Sequence, residues 1–253
     1  MELQDKVVVI TGSGRGLGRG MALAFAGKGA KVAVVDLNDD DIATTVQLCK
    51  DLGVDAKGYK VNVAKEDEVE QLFNDVVADF GSLHGLINNA GVLRDGLLVK
   101  YKDGAVQNKL SLQQWQTVID VNLTGVFLCG REAAVKMLEL GVDEGVIVNI
   151  SSLARHGSFG QSNYSSAKAA VAALAEVWAK ELARYNIRTG AIAPGTIMTD
   201  MLASMKPEAL ERLAGAVPLK RIGEPDNIAK AALFIFENNY FTGRVVEVDG
   251  GLR

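Results

Sequence analysis

Short apolar runs alternate with longer stretches of helical periodicity along the whole chain. The apolar runs are rich in β-branched residues and carry few polar ones, as expected for strands covered on both faces of a sheet. Seven such strands are predicted, at 6–10, 31–36, 55–61, 84–91, 145–152, 187–195 and 244–251. The main predicted helices lie between them, at 17–28, 39–52, 65–80, 115–138 and 166–185.

This alternation predicts an α/β fold, a Rossmann-type doubly wound parallel sheet of about seven strands with helices on both faces. The composition does not shift along the 253 residues, so we expect a single domain over 1–253. Two segments, 92–112 and 196–228, follow neither period. Because a parallel sheet of this kind binds ligands at the carboxyl ends of its strands, candidate chemistry is expected at that edge.

Charge and composition exclude several classes of protein. A formal net charge of −4 argues against a protein that binds nucleic acid through phosphate contacts. We find no uncharged apolar run long enough to span a membrane and no secretory signal, so neither a membrane nor a secreted protein is expected. Cys49 and Cys129 lie far apart and suit reduced thiols, which favours the cytoplasm. His84 and His156 lack partners at metal-ligand spacing, so no metal site is expected.

A glycine-rich stretch, TGSGRGLGRG (11–20), connects the first predicted strand to the first helix. Glycines let a backbone approach a pyrophosphate, and a helix N-terminus presents amide donors to it. The spacing of Gly12, Gly16 and Gly18 departs from the strict GxGxxG pattern, but the strand-to-helix context is the one that the pattern requires. The stretch therefore predicts a dinucleotide site, with a purely structural turn as the alternative.

Asp36 ends the second predicted strand. A carboxylate there accepts hydrogen bonds from the ribose hydroxyls of NAD and repels the 2′-phosphate of NADP. Arg15 is a contrary signal, because its cation would attract that phosphate. We expect NAD(H) as the cofactor, with NADP(H) as the open alternative.

Tyr164 and Lys168 stand four residues apart in NYSSAKAA (163–170). On a helix they would share one face, and a nearby cation lowers the pKa of a phenol from its ordinary value of about 10. Such a phenol can exchange a proton in catalysis. An ordinary helix face is the alternative, because this spacing alone is a weak signal.

Taken in order, seven short motifs resemble those of the short-chain dehydrogenase/reductase family. They are TGSGRGLG (11–18), NNAG (88–91), Asn122 within DVNLTGVF, NISS (149–152), YSSAK (164–168), PGTIMT (194–199) and VDGG (248–251). They span nearly the whole chain. The nearest likeness is to the branch of 3-oxoacyl-[acyl-carrier-protein] reductases and carbonyl reductases.

This resemblance implies an oxidoreductase that interconverts a ketone and a secondary alcohol by hydride transfer. Tyr164 would be the general acid or base, and Lys168 would lower its pKa and bind the nicotinamide ribose. A serine after the fifth strand would hold the substrate oxygen, and Asn122 would hold a water that links Lys168 to solvent. The motif pattern favours Ser152 for that role, whereas counting back from the tyrosine leaves Ser151 open.

By the same resemblance, residues from most of the motifs would contact the cofactor. They are Gly12, Arg15, Gly16, Leu17, Gly18, Asp36, Leu37, Asn62, Val63, Asn89, Ala90, Gly91, Tyr164, Lys168, Pro194, Gly195, Ile197 and Thr199. Asn62 departs from the family, which often has an aspartate there to bind the adenine amino group. The carbonyl of an asparagine side chain can still accept that hydrogen bond.

Segment 196–218 would form a lid, and its apolar residues, Met198, Met201 and Leu202 among them, favour a hydrophobic small-molecule or thioester substrate. A carrier-bound substrate would need a basic patch at the mouth of the site, and the turn at 138–145 is acidic. A 3-oxoacyl-[acyl-carrier-protein] reductase using NADPH is therefore the alternative, and a non-catalytic NAD-binding scaffold a remoter one. Segment 92–112 would form either a hairpin beside the entrance or an oligomer contact. The family likeness of helices 115–138 and 166–185 predicts a homotetramer.

Overall fold

The apolar runs form parallel strands of one sheet, and two further strands form a separate hairpin. The computed structural model describes residues 1–203 and 205–253, without the side chains at positions 200 and 201. The strands are β1 (Val7–Thr11), β2 (Lys31–Asp36), β3 (Ala56–Lys60), β4 (Gly85–Asn88), β5 (Val99–Lys102), β6 (Ala105–Lys109), β7 (Gly145–Ile150), β8 (Ile187–Pro194) and β9 (Arg244–Val248). The seven-stranded sheet has the order β3-β2-β1-β4-β7-β8-β9.

Helices cover both faces of this sheet. They are α1 (Gly16–Ala26), α2 (Asp39–Asp51), α3 (Glu66–Phe80), α4 (Leu112–Ile119), α5 (Gly125–Glu139), α6 (Ser162–Leu182), α7 (Asp200–Ala203), α8 (Pro207–Ala216) and α9 (Pro225–Glu237). Alternate residues of β1 enter two separate cores, Val8 and Ile10 on one face and Val7 and Val9 on the other. The predicted fold class is thereby confirmed.

The strand order reverses between β1 and β4. From β1 the chain proceeds outward to β2 and β3, whereas from β4 it proceeds outward on the other side, to β7, β8 and β9. The loops that leave β1 and β4 therefore diverge and open a crevice at the carboxyl ends of these two strands. The glycine-rich stretch and the NNAG motif meet at this crevice.

The helix predicted over 115–138 is interrupted. Helices α4 and α5 are separated by a π-helical turn, Asp120–Thr124, which contains Asn122. The Asn122 side chain pairs with the backbone of Val92, accepting from its N–H at 2.8 Å and donating to its carbonyl at 3.0 Å. The sequence period of 3.6 residues does not reveal a π-helical turn, because such a turn widens the helix locally without changing which face of the helix is buried.

Segment 92–112 contains the hairpin, which is one of the two alternatives left open by the sequence. Strands β5 and β6 are antiparallel, and both residues of their connecting turn, Asp103 and Gly104, have positive φ. This is the turn chemistry that favours two-residue hairpins. Helix α9 is a further element that the sequence prediction missed, and its start is marked by Pro225 and a capping box from Glu224. Among the described residues, no helix combines the length and apolarity needed to cross a membrane.

Candidate active site

The glycine-rich turn is packed too tightly for side chains. A Cβ at Gly18 would lie 2.1 Å from the carbonyl oxygen of Gly12, and one at Gly12 would lie 2.8 Å from Cα of Ala90. Gly16, by contrast, has a φ of +56° and open space on its Cβ side. Helix α1 therefore starts against the turn, with its N-terminal amides toward the crevice and no acidic side chain in its first turn, as the structure describes it.

Asp36 is fixed against this turn. Its Oδ2 accepts a hydrogen bond from the backbone N–H of Gly14 at 2.9 Å, and its Oδ1 accepts one from Leu37 at 2.7 Å. Each carboxylate oxygen keeps a further lone pair for a diol. Gly14 is required for this approach, because a Cβ there would lie 2.8 Å from Asp36 Oδ2.

Two adjoining cavities lie along the crevice. The smaller one, of about 550 Å³, is bordered by Gly12, Val35, Asp36, Leu37, Asn38, Asp41, Val61, Asn62, Val63, Ala90 and Val121. The larger one, of about 860 Å³, is bordered by Gly16, Leu17, Leu93, Arg94, Ile150, Ser151, Ser152, Tyr164, Lys168, Pro194, Gly195, Thr196, Ile197, Thr199 and Leu202. Arg15, Asn89, Gly91 and Val92 border both. Two cavities joined in this way fit an elongated dinucleotide with a substrate at one end.

Most of the residues predicted to contact the cofactor border one of these cavities. The side chains of two of them, Asn89 and Asn62, also form hydrogen bonds within the protein. The amide of Asn89 donates to the carbonyls of Thr11 and Gly12, so this side chain ties β4 to the glycine turn. The side-chain carbonyl of Asn62 accepts from the N–H of Ala64 at 3.1 Å. Asn62 therefore reaches the cavity with one of its oxygen lone pairs already used.

Tyr164 and Lys168 lie one turn apart on α6 and both border the larger cavity. Lys168 is buried, and its Nζ donates to the carbonyl of Ile150 at 2.7 Å, at the end of β7. A Cβ at Gly91 would lie 3.7 Å from this Nζ and 3.5 Å from Oδ1 of Asn122. The structure thus brings three of the four predicted catalytic side chains to one place, and the fourth is a serine.

The two serines after β7 have different partners. The hydroxyl of Ser151 donates to the backbone carbonyl of Lys168 at 2.7 Å and is buried. Ser152 lies at the start of a short 3₁₀ turn, Leu153–His156, and its oxygen accepts from the N–H of Ala154 at 3.1 Å. The Ser152 side chain also lies close enough to Tyr164 to lower the pKa of its phenol. This geometry favours Ser152 over Ser151.

The pKa of Tyr164 differs from the expectation drawn from the sequence. Burial is the largest influence and raises the pKa of this phenol, the hydrogen bond from Ser152 lowers it, and the charge of Asp95 raises it further. The ammonium of Lys168 donates its hydrogen bond to the carbonyl of Ile150. Burial also lowers the pKa of Lys168 to about 8, so the amine is still largely protonated at neutral pH.

Several residues at the cavity were not predicted from the sequence. Val92, Leu93 and Arg94 form part of its wall and directly follow the NNAG motif, which was their available signal. Of the predicted lid residues, Leu202 borders the cavity, whereas Met205 is exposed. The side chain of Met201 lies outside the described residues.

The acidic turn at 138–145 lies away from the mouth of the site. It precedes β7, so it lies at the amino end of a strand whose carboxyl end leads to Ser151 and Ser152. Glu144 there pairs with Arg188 at 2.9 Å, also far from the cavity. The charge of this turn therefore says nothing about the mouth of the site.

Comparison with known proteins agrees with this geometry. The family described as enoyl-(acyl carrier protein) reductase matches residues 12–253. The chain is 37% identical over 255 residues to the 3-oxoacyl-[acyl-carrier-protein] reductase FabG of Thermotoga maritima, covering 100% of this chain and 99% of that one. It is 39% identical over 251 residues to the protein of the same name from Staphylococcus aureus, covering 98% of each.

Solved structures give the same result. A 7α-hydroxysteroid dehydrogenase complexed with NADH and 7-oxo glycochenodeoxycholic acid matches with a TM-score of 0.89 and 31% identity, over 99% of this chain and 95% of that one. A putative gluconate dehydrogenase from Agrobacterium tumefaciens matches with a TM-score of 0.89 and 33% identity, over 99% and 97%. The chain therefore belongs to the short-chain dehydrogenase/reductase family and is an oxidoreductase of the CH–OH and carbonyl type.

Proposed function

We propose that this oxidoreductase reduces a hydrophobic ketone, or oxidises the matching secondary alcohol, with Tyr164 as the residue that transfers the proton. The observation that carries the proposal is the convergence of Tyr164 and Ser152 on one cavity, with the Lys168 amine buried behind them. A non-catalytic NAD-binding scaffold would have no need for a buried lysine and a paired phenol. Burying an amine costs free energy, and strongly perturbed groups of this kind cluster at functional sites.

A bound nicotinamide cofactor would supply or accept the hydride. The remaining chemistry belongs to the chain. In reduction, the phenol of Tyr164 donates a proton to the substrate oxygen as negative charge develops on it, and the hydroxyl of Ser152 donates a hydrogen bond to the same oxygen. Lys168 would then return a proton to Tyr164, and a water held by Asn122 in the π-helical turn would link Lys168 to solvent. The raised pKa of Tyr164 suits the direction of reduction, because it keeps the phenol protonated.

The cofactor is proposed to be NAD(H), held by the glycine turn and by Asp36. The support is that the Asp36 carboxylate borders the smaller cavity and is locked by Gly14 and Leu37. A 2′-phosphate would meet this negative charge at short range and in partly desolvated surroundings. Arg15 is exposed and borders both cavities, so NADP(H) is the alternative that an assay must address.

The substrate is proposed to be apolar near its carbonyl. The substrate end of the larger cavity is bordered by the side chains of Val92, Leu93, Ile150, Ile197 and Leu202. Apolar walls of this kind favour a hydrophobic ketone or acyl thioester by removing its surface from water. We infer one domain over 1–253 in which segment 196–218 acts as the lid.

A carrier-bound 3-oxoacyl thioester, reduced with NADPH, is the second candidate. The observation that favours it is the charge of the hairpin: Lys100, Lys102 and Lys109 are all exposed on β5 and β6. The hairpin follows Arg94 of the cavity wall, and its base is tied to the loop before Tyr164 by a hydrogen bond of 2.8 Å from Gly96 to Gly160. A basic surface at this place complements an acidic carrier.

The two substrates can be separated with one set of variants. A Lys100→Glu, Lys102→Glu, Lys109→Glu variant will raise KM for a carrier-linked acetoacetyl thioester about tenfold and leave KM for ethyl acetoacetate unchanged. Lys50→Glu, exposed in the last turn of α2 and outside both cavities, is the control. An equal KM for the carrier-linked substrate in the unmodified protein, the triple variant and the control would contradict docking of a carrier at the hairpin.

The assembly is proposed to be a homotetramer. Exposed apolar side chains on α5 and α6, including Phe127, Val135, Leu138 and Val177, support it. A monomer mass in solution light scattering would contradict it. Two buried free cysteines are compatible with the expected cytoplasmic location.

The primary test of the function is an assay of NADH and NADPH oxidation in parallel. The substrates are hydrophobic ketones, β-keto esters and acetoacetyl thioesters. NADH-dependent reduction of free ketones is the expected result. Turnover restricted to thioesters with NADPH would favour the second candidate, and cofactor binding without turnover of any of them would favour the scaffold.

A further inference from the structure

We propose that Glu247, on the edge strand β9, is a positioning residue that holds the 3₁₀ turn following Ser152 and thereby orients the Ser152 hydroxyl. The proposal rests on the role assigned above to Ser152. Glu247 lies outside both cavities, more than ninety positions beyond that serine in the chain. No motif of the sequence pointed to it.

The orientation of Ser152 depends on the turn that it starts. Its oxygen accepts from the N–H of Ala154, and its carbonyl accepts from the N–H of Arg155 at 3.0 Å. If the turn moves, Ala154 moves, and the hydroxyl loses the bond that sets its direction toward Tyr164. Because Ser152 accepts in this bond, its hydroxyl hydrogen remains available to donate on the cavity side, to Tyr164 or to a substrate oxygen.

The turn packs against α6 but is only partly covered. None of its residues, Leu153–His156, is buried. It ends at Gly157, whose φ is +102°, and the segment that follows is exposed through Phe159. Because the turn is only partly buried, polar contacts add to this packing in fixing where it rests.

Glu247 provides such a contact from another part of the sheet. One of its carboxylate oxygens, Oε1, accepts from Nη2 of Arg155 at 2.9 Å and lies 3.1 Å from Nε2 of His156. These interactions, with His156 the larger, hold the pKa of Glu247 below its ordinary value. The Nε of Arg155 is buried without a hydrogen-bond partner among the described residues, so the guanidinium depends on the carboxylate for compensation.

The same strand also supports a second part of the wall of the larger cavity. Glu247 is opposite Ala193 in the β8–β9 pairing, and the carbonyl of Val248 accepts from the N–H of Gly195 at 2.9 Å. Gly195 borders the cavity. One carboxylate therefore links the turn after Ser152 to the strand that holds Gly195 in place.

A double-mutant cycle tests this link. Glu247→Ala, Arg155→Ala and the double variant are assayed with NADH and ethyl acetoacetate or acetoacetyl-coenzyme A, whichever the unmodified protein reduces. Each single variant is expected to lower kcat about three- to tenfold, with KM for NADH unchanged. The double variant should lose no more than the worse single one, because both act through one contact. Glu247→Gln, which retains an acceptor, should recover part of kcat.

Arg244→Gln, a charge change on the same strand, is the control and should leave kcat unaltered. Two results would overturn the proposal: full kcat in Glu247→Ala, or losses that multiply in the double variant. Ser152→Ala separates this from the proposed function. If Ser152→Ala keeps full activity, the role of Ser152 is wrong, whereas a loss there with no effect of Glu247→Ala rejects only the positioning role.

Discussion

The Nζ of Lys168 lies 5.5 Å from the centroid of the Tyr164 ring, within the range of a cation–π contact. It donates a hydrogen bond to the carbonyl of Ile150. The lysine thus ties α6 to the end of β7, and the phenol is left beside Ser152. Ser152 lowers the pKa of the phenol, and Lys168 fixes the position of α6 against β7.

Removing the buried amine is expected to stabilise the fold while abolishing activity. The pKa of Lys168 is lowered from 10.5 to about 8, so the unfolded chain keeps this proton to higher pH than the folded one. The resulting cost is present in full below pH 8 and is relieved as pH rises toward 10.5. Lys168→Met should therefore gain about 1–2 kcal/mol of unfolding free energy at pH 7 and less at pH 10. Thermal unfolding at both values checks this, and a gain that grows with pH would contradict it.

The two serines should respond differently to removal. Ser152 lowers the pKa of Tyr164, so Ser152→Ala should raise it. The limb of the pH profile on which alcohol oxidation rises as the phenol ionises should then move to higher pH. The same variant should lower kcat about a hundredfold. Ser151→Ala should leave that limb in place and cost about 1 kcal/mol of stability through its lost bond to α6. A reversed pattern would assign the role to Ser151.

Asp36 should control the choice of cofactor. Asp36→Ala removes a charge that repels a 2′-phosphate, so the preference for NADH over NADPH should fall about tenfold to a hundredfold. Asp39→Asn is the matched control, because Asp39 is exposed and pairs with Lys60 at 2.6 Å. Parallel kcat/KM measurements with both cofactors test it. An unchanged ratio in Asp36→Ala would mean that Arg15 dominates.

Alanine substitutions at two helical glycines, Gly18 and Gly215, are expected to change the free energy of unfolding in opposite directions. A Cβ at Gly18 would press on backbone atoms of Gly12 and Ser13, so Gly18→Ala should cost about 2 kcal/mol or more and weaken cofactor binding. Gly215, in α8, has open space, and Gly215→Ala should add about 0.5–1 kcal/mol. Denaturant unfolding of both variants tests this prediction. Equal changes in the free energy of unfolding would contradict the close packing of the glycine-rich turn.

The sequence predicted what depends on periodicity and on ordered motifs. The apolar runs identified the seven strands of the sheet, and the alternation with helices determined its parallel character. The cavity brings together Gly16, Ser152, Tyr164 and Pro194 from distant motifs, because each follows the carboxyl end of a strand or begins the next helix.

What the sequence could not predict depends on contacts between distant segments. The π-helical turn carries Asn122, whose side chain pairs with Val92, thirty positions away. The pKa of Tyr164 is set by burial, which no local pattern records. Arg155 and Glu247 meet only because β9 joins the sheet beside β8.

The most direct test of the proton-transfer role of Tyr164 is the Tyr164→Phe variant, assayed for turnover and, by fluorescence titration, for NADH binding. Phenylalanine keeps the ring in its place and removes only the hydroxyl. We predict a loss of kcat of about a hundredfold or more, with the dissociation constant for NADH within about twofold of the unmodified protein. Retained turnover in this variant would contradict the account, because the proton would then come from another group.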